Sequence, residues 1–318
     1  MNELAIEVRD LRRSYGENEA VRGVSFQVRR GEVFCLLGPN GAGKTTTVEI
    51  LEGYRERSGG DASVLGIDPA SGARELREQV GIVLQSCGVQ DDLSVEELLE
   101  MYGRYHLRRR PVDEVLELVE LTEKRGERAR KLSGGQRRRL DLALALVGDP
   151  ELIFLDEPTT GFDPAARRQA WSTLRGLRGL GKTIFLTTHY MDEAQHLADR
   201  VAIMARGLII AAGRPDELGG RDVRPAEIRF ALPAPWSLSD VPELPEISRD
   251  ASDDRALVVT SEPVRAVHML TGWALEHDVD LGRLSVSQPT LEDIYLELTG
   301  ETSTGRVGSK AMVQEVGR

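Results

Sequence analysis

Two cysteines in 318 residues, Cys35 and Cys87, provide no disulfide framework and no paired spacing for a metal or redox centre. Cys35 lies inside the apolar run Val33-Phe34-Cys35-Leu36-Leu37, where a thiol serves as a small core residue. No apolar run reaches the roughly 18 residues that a membrane-spanning helix needs. The longest, Val201 to Ala212, is short and interrupted by Arg206. Met1-Asn2-Glu3 opens acidic and no long apolar core follows, so no secretory signal is expected. Positive charge is also in deficit. The 41 basic side chains face 52 acidic ones, a formal net charge of -11, which disfavours general nucleic-acid binding because that requires a basic face. The triplets Arg108 to Arg110 and Arg137 to Arg139 are local exceptions and read as solvated faces. The expectation is a soluble, cytoplasmic chain.

The length suggests two domains. Residues 5–30 read as strands with turns, and Val24-Ser25-Phe26-Gln27-Val28 alternates as a half-buried strand does. Apolar strands are expected at 33–37, 80–84, 152–155, 183–187 and 201–204. Helical spacing runs through much of 94–147, and a further helix is expected over 165–178. Apolar strands alternating with helices indicate a mostly parallel sheet covered on both faces. Arg206-Gly207 reads as the turn into Leu208 to Ala211. Composition shifts near 220, and Pro233, Pro235, Pro242 and Pro245 mark an irregular connection. Strands near 228–232, 257–260 and 281–285, with helices near 262–277 and 290–299, describe a small α+β domain. The domains are placed at 1–220 and 221–300. The polar, glycine-containing tail 301–318 is expected to be disordered.

The strongest local signal is Gly38-Pro39-Asn40-Gly41-Ala42-Gly43-Lys44-Thr45, between an apolar strand and the helical Thr46-Thr47-Val48-Glu49-Ile50. Strand, glycine loop and helix make a phosphate cradle. Glycines let successive N–H groups converge on one anion, and the helix N-terminus adds positive potential. Lys44 is placed to neutralise the outer phosphates and the Thr45 hydroxyl to hold Mg²⁺.

Four more features join it. Leu152-Ile153-Phe154-Leu155 ends in Asp156-Glu157, at the strand end where open α/β sheets bind ligands. Asp156 is placed to hold a metal and Glu157 to deprotonate a water; the plainer alternative is a helix cap beside a solvated acid. Ser133-Gly134-Gly135-Gln136 fits a capping box opening a helix over 137–147. A cap needs neither glycine, and each costs up to about 1 kcal/mol in a first turn. A second anion-binding helix start is therefore inferred. His189 ends its strand and is read as a donor to a terminal phosphate, although strand-end histidines are commonly structural. Gln85 ends another strand, where its amide would ligate Mg²⁺ or water. Tyr15 either stacks on a base or is an ordinary half-buried tyrosine.

In this order the features resemble the nucleotide-binding subunits of ATP-binding cassette (ABC) transporters, over about residues 3–218. The resemblance implies an α/β phosphate-loop NTPase fold with an N-terminal antiparallel β subdomain, a helical subdomain over about 88–147 and a small C-terminal α+β accessory domain. It implies an ATPase using ATP and Mg²⁺. The nucleotide is wrapped by Gly38, Pro39, Asn40, Gly41, Ala42, Gly43, Lys44, Thr45 and Thr46, with Tyr15 on the adenine. Thr45, Gln85 and Asp156 are the metal side. Glu157 is the general base and His189 the switch histidine. Two subunits sandwich two nucleotides head to tail, so Ser133, Gly134, Gly135 and Gln136 contact the partner's nucleotide, and Asp163 belongs to the loop joining the sites. Phe162 departs from the family's usual Leu. The stretch Gln288 to Gly300 resembles the accessory domain of drug-resistance exporters acting on anthracyclines. That implies export of a hydrophobic, drug- or lipid-like cargo through a separate membrane permease, with the chain peripheral on the inner membrane face. The alternatives are a cassette ATPase acting on ribosomes or DNA, and a regulator that binds ATP without hydrolysing it.

Overall fold

A computed structural model of the chain describes residues 3–83, 88–220, 224–244, 247–249 and 255–299. It divides into two compact units, Met1–Pro215 and Asp216–Arg318. The tail 301–318, Gln85 and Cys87 lie outside the described residues.

In the first unit the elements run β1 (Leu4–Tyr15), β2 (Asn18–Arg29), β3 (Val33–Leu37), α1 (Lys44–Leu51), β4 (Gly59–Val64), α2 (Ala73–Arg77), β5 (Val80–Val83), α3 (Val95–Gly103), α4 (Val112–Leu118), α5 (Gly134–Leu146), β6 (Leu152–Asp156), α6 (Pro164–Gly179), β7 (Thr183–Thr188), α7 (Met191–Leu197), β8 (Arg200–Ala205) and β9 (Leu208–Gly213). Two sheets form. One is antiparallel, β2-β1-β4; the other has the order β5-β6-β7-β3-β8-β9. In the second sheet β5, β6, β7, β3 and β8 are parallel, and β9 closes the edge antiparallel to β8. Strands β3 and β7 are buried at every residue, the pattern of strands covered on both faces. Phe26 of β2 stacks on Phe34 of β3 at 5.3 Å, and Phe34 on Phe185 of β7 at 5.5 Å, so both sheets share one aromatic-centred core.

Strand order fixes the site. Crossovers place the C-terminal ends of β6, β7 and β3 side by side, and with them Asp156, Thr188 and Gly38. The helical stretch between β5 and β6 is α3, α4 and α5, with capping boxes at Ser94/Glu97 and Ser133/Gln136. Helix α5 begins at Gly134 rather than 137, because the box admits both glycines to the first turn. Strand β4 was not anticipated: Gly59-Gly60-Asp61 is a poor strand sequence. Gly60 has φ 77°, and a Cβ there would lie 2.1 Å from Asp10 O, so close pairing with β1 demands glycine.

The second unit is a sheet of β10 (Ala226–Ala231), β11 (Ile247–Arg249), β12 (Ala256–Thr260) and β13 (Gly282–Ser287), in the order β11-β12-β10-β13. Helix α8 (Pro263–Glu276) packs Ala266 and Leu270 onto Ile228, Phe230 and Val258. Helix α9 (Leu291–Thr299) starts from Thr290, whose N–H and hydroxyl both donate to Asp293 while its hydroxyl accepts from Asp293 N. Strand β11 follows the proline-rich connection, which hid it.

The arginine triplets are less solvated than their composition suggested. Arg138 donates to Pro158 O and Asp156 O, Arg139 to Glu120 O, Arg110 to Asp149, and Arg137 pairs with Asp91. Arg108 and Arg109 do lie exposed.

Candidate nucleotide site

The phosphate loop leaves β3 at Gly38, whose N–H donates to Thr188 O at 3.1 Å. Close packing forces glycine at two positions. A Cβ on Gly38 would lie 2.2 Å from Met204 O; one on Gly43 would lie 2.4 Å from Ala20 O, at φ +105°. Gly41 has φ +79° with open space around it. Pro39, Asn40, Gly41 and Thr45 are exposed, Thr46 is partly so, and Ala42 is buried. The N-terminus of α1 has no side-chain cap and no acid in its first turn, so its own residues leave the first N–H groups and their partial positive charge without a capping partner.

Lys44 turns inward and is 4% exposed. Its ammonium donates to Gly38 O at 2.8 Å and Pro39 O at 3.1 Å, and lies 3.3 Å from Glu157 Oε1. The Thr45 hydroxyl reaches Asp156 Oδ2 at 3.4 Å, and Thr187 donates to Asp156 Oδ1 at 2.5 Å. Glu157 sits just past β6 in the left-handed region, φ 47°. Its carboxylate accepts from Thr160 Oγ1 at 3.2 Å. His189 Nδ1 lies 3.3 Å from Glu157 Oε2, but off the angle for a hydrogen bond. Burial pushes the Glu157 carboxyl up; the Lys44 charge, helped by His189, more than offsets this and holds it below the ordinary glutamate value. Glu157 is therefore ionised at neutral pH, as a proton acceptor must be.

Gly134 and Gly135 start α5 behind the Ser133 cap, and a Cβ on either would meet nothing within 4 Å. Nothing among the described residues requires glycine there. Ser133 to Gln136 line a cavity of about 590 Å³ together with Asp163 and the start of α6; no phosphate-loop residue lines it. Asp163 caps α6, accepting from Ala165 N at 2.8 Å and Ala166 N at 2.9 Å, with Pro164 following. The Asp-Pro pair is itself a helix-start signal in the sequence. Tyr15 is 39% exposed, with the Arg13 and Arg55 guanidinium carbons 4.6 and 5.4 Å from its ring centre. Within one chain, Lys44, Thr45, Asp156, Glu157 and His189 converge, and among the described residues no hydrogen bond or ion pair joins Ser133 to Gln136 with them.

Sequence reasoning missed two buried acids nearby. Burial, with the negative charges of Asp156 and Glu49, pushes Glu52 up to about 8. Glu193 is fully buried on α7. An acid inside an apolar helical stripe, beside Ala194 and Leu197, was the available signal.

The ABC transporter family profile matches residues 21–160, and an ABC transporter domain-containing protein-like C-terminal domain matches 226–290. The Nod factor export ATP-binding protein I of Paraburkholderia xenovorans is 41% identical over 309 residues, covering 94% of this chain and 98% of that protein. The chain belongs to the ABC transporter family. This cassette is also 36% identical over 313 residues to the daunorubicin resistance ATP-binding protein DrrA3 of Streptomyces coeruleorubidus, covering 95% of this chain and 98% of that one. Among solved structures, cbiO1 of Clostridium perfringens, described as part of the ABC transporter complex cbiONQ, is 29% identical with a TM-score of 0.61, covering 68% of this chain and 90% of that one. The protein is an ATP-binding cassette ATPase, and among the described residues no helix is long and apolar enough to cross a membrane.

Proposed function

We propose that this ATPase drives export through a separate membrane permease, as a head-to-tail homodimer on the inner membrane face. The observation that carries hydrolysis is the Lys44–Glu157–His189 cluster at adjacent strand ends. Lys44 compensates the outer phosphates. Glu157, ionised, takes the proton of the attacking water. His189 donates to the γ-phosphate as it leaves. Tyr15 stacks on adenine, exchanging one guanidinium face for the base. Thr45 and Asp156 supply hard oxygen donors 3.4 Å apart. They fit Mg²⁺, which is held by one or two carboxylates plus substrate phosphates rather than by a protein cage. That ion, when bound, neutralises charge on the phosphates. Gln85 keeps the metal- or water-ligating role expected of it. Export is supported by the relatives, named for Nod factor export and daunorubicin resistance. The acidic balance goes against ribosome or DNA binding.

The open space at Gly134 and Gly135 supports the sandwich, since a partner's nucleotide would need that close backbone approach. Gly134→Ala should therefore leave the melting temperature unchanged or slightly raised, alanine being favoured in helices by up to about 1 kcal/mol. ATP turnover should fall all the same. Thermal unfolding and phosphate release measured together check this, and unchanged turnover counts against the arrangement.

Mixing decides the trans geometry. Ser133→Arg spoils the signature and Lys44→Ala the phosphate loop, so each homodimer should be inactive. A mixed dimer pairs one intact loop with one intact signature, and an equimolar mixture should recover roughly a quarter of wild-type hydrolysis. No recovery, with mixed dimers demonstrably present, would overturn the head-to-tail site.

A further inference from the structure

Glu157 and His189 sit on separate loops, beyond β6 and β7, and each loop needs something to hold it. On the N-terminal side of Glu157 the strands suffice: Glu157 N donates to Thr187 O at 3.2 Å and to Thr187 Oγ1 at 3.1 Å. On the C-terminal side the tie is Glu193. Its Oε1 accepts from the Thr159 hydroxyl at 2.8 Å and from Trp171 Nε1 at 3.1 Å. Thr159, two residues past Glu157, is as fully buried as Glu193. Glu193 itself stands on α7, four residues past His189, and the Thr188 hydroxyl preceding His189 accepts from Tyr190 N at 3.0 Å. Oε2 of Glu193 has no hydrogen-bond partner among the described residues.

Packing alone does not call for an acid here. A carboxyl with an unmatched buried oxygen is costly, and an apolar side chain of similar size would fill the inner face of α7 at lower cost. Burial pushes the Glu193 carboxyl up even though neighbouring donors and Arg167 oppose that shift. What an acceptor adds, and a hydrocarbon does not, is a link from α7 to the Thr159 turn.

We infer that Glu193 is a positioning residue: it ties the Thr159 turn to α7, the helix that follows His189, so that Glu157 and His189 keep the spacing hydrolysis needs. The inference rests on the roles proposed for those two residues. Glu157 makes the need concrete. Its φ of 47° is unfavourable for a residue with a side chain and persists only where surrounding contacts over-determine it. Thr159 is the pivot of that turn, with Thr160 N donating to Glu157 O at 3.2 Å and Phe162 N to Thr159 O at 3.1 Å. Freed of Glu193, the turn can relax and carry the Glu157 carboxylate away from Lys44 and His189.

Steady-state hydrolysis by the full-length chain, with ATP titrated, tests this. Thr159→Val keeps the shape and removes one bond to Oε1. Its kcat should fall by about 10- to 10²-fold, the scale of a small misplacement, with KM for ATP changed less than about twofold because the phosphate loop is untouched. Trp171→Phe removes the other bond to the same oxygen, but from α6, and should leave kcat within about twofold. Glu193→Gln keeps an acceptor at Oε1 and should rescue most of the activity that Glu193→Ala loses. Equal losses in Thr159→Val and Trp171→Phe would mark a merely structural cluster and overturn the inference, as would an unchanged kcat in Thr159→Val. These two variants decide the question even where Glu193→Ala fails to fold. An active wild type beside a fully active Thr159→Val sinks this inference alone; a wild type without hydrolysis sinks the proposed roles of Glu157 and His189 with it.

Discussion

Glu157→Gln should bind ATP and stop, accumulating as an ATP-bound dimer. The amide keeps the size of the carboxyl and an oxygen for Lys44, which lies 3.3 Å from Oε1 in the wild type. It cannot accept the proton of an attacking water. Loss of a general base costs about 10²- to 10⁴-fold in rate. Binding should survive because the phosphate loop is built from β3 and α1, and because removing a carboxylate charge lowers repulsion toward the γ-phosphate. If ATP links the two copies and its hydrolysis releases them, blocking hydrolysis traps the closed form. Gel filtration with ATP should show a species of twice the mass of a single chain. A variant that stays monomeric at saturating nucleotide counts against the sandwich, and one that turns over at the wild-type rate removes Glu157 from the chemistry.

Lys44→Ala should lose both turnover and most nucleotide affinity. The wild-type ammonium is nearly buried and held by Gly38 O, Pro39 O and Glu157. Its removal strips the phosphates of their fixed counter-charge and leaves Glu157 with less compensation. In the wild type, burial raises the Glu157 carboxyl and the Lys44 charge is the strongest influence lowering it. Without Lys44 that pKa must rise. The sign for stability follows. A carboxyl with a depressed folded-state pKa stabilises the fold above its unfolded value and loses that contribution as pH falls through the folded one. The variant should therefore lose less stability than wild type on acidification from neutral pH to below the ordinary glutamate range. Calorimetric ATP titration and thermal unfolding across that window check both parts. Wild-type ATP affinity would contradict the phosphate role.

How much of this was legible in the chain alone varied with the range of the forces involved. The Gly38 to Thr45 loop, the Asp156-Glu157 pair after an apolar strand and the Ser133/Gln136 box could all be read, because each is a local geometry with fixed spacing. The Asp163-Pro164 helix start is equally local, although the family resemblance marks Asp163 only as part of the loop joining the sites. Strand β4 escaped because its glycines obey a neighbour: the contact that excludes a Cβ on Gly60 comes from Asp10. Glu193 escaped because its partners, Thr159 and Trp171, lie 34 and 22 positions away.

The sequence by itself determined which chemical groups are available and the local turns that present them: an amide cradle, a lysine and a hydroxyl after one strand, and two carboxylates at the end of another. Tertiary structure alone decided that they meet. The order β6-β7-β3 brings Thr45 to Asp156 across 111 positions and Lys44 to Glu157 in a nearly dry site. The physical reason is that side-chain spacing along a strand or helix is set by covalent geometry, whereas the pairing of buried charges depends on which strands become neighbours. That choice belongs to the whole hydrophobic core, and no short stretch of residues records it.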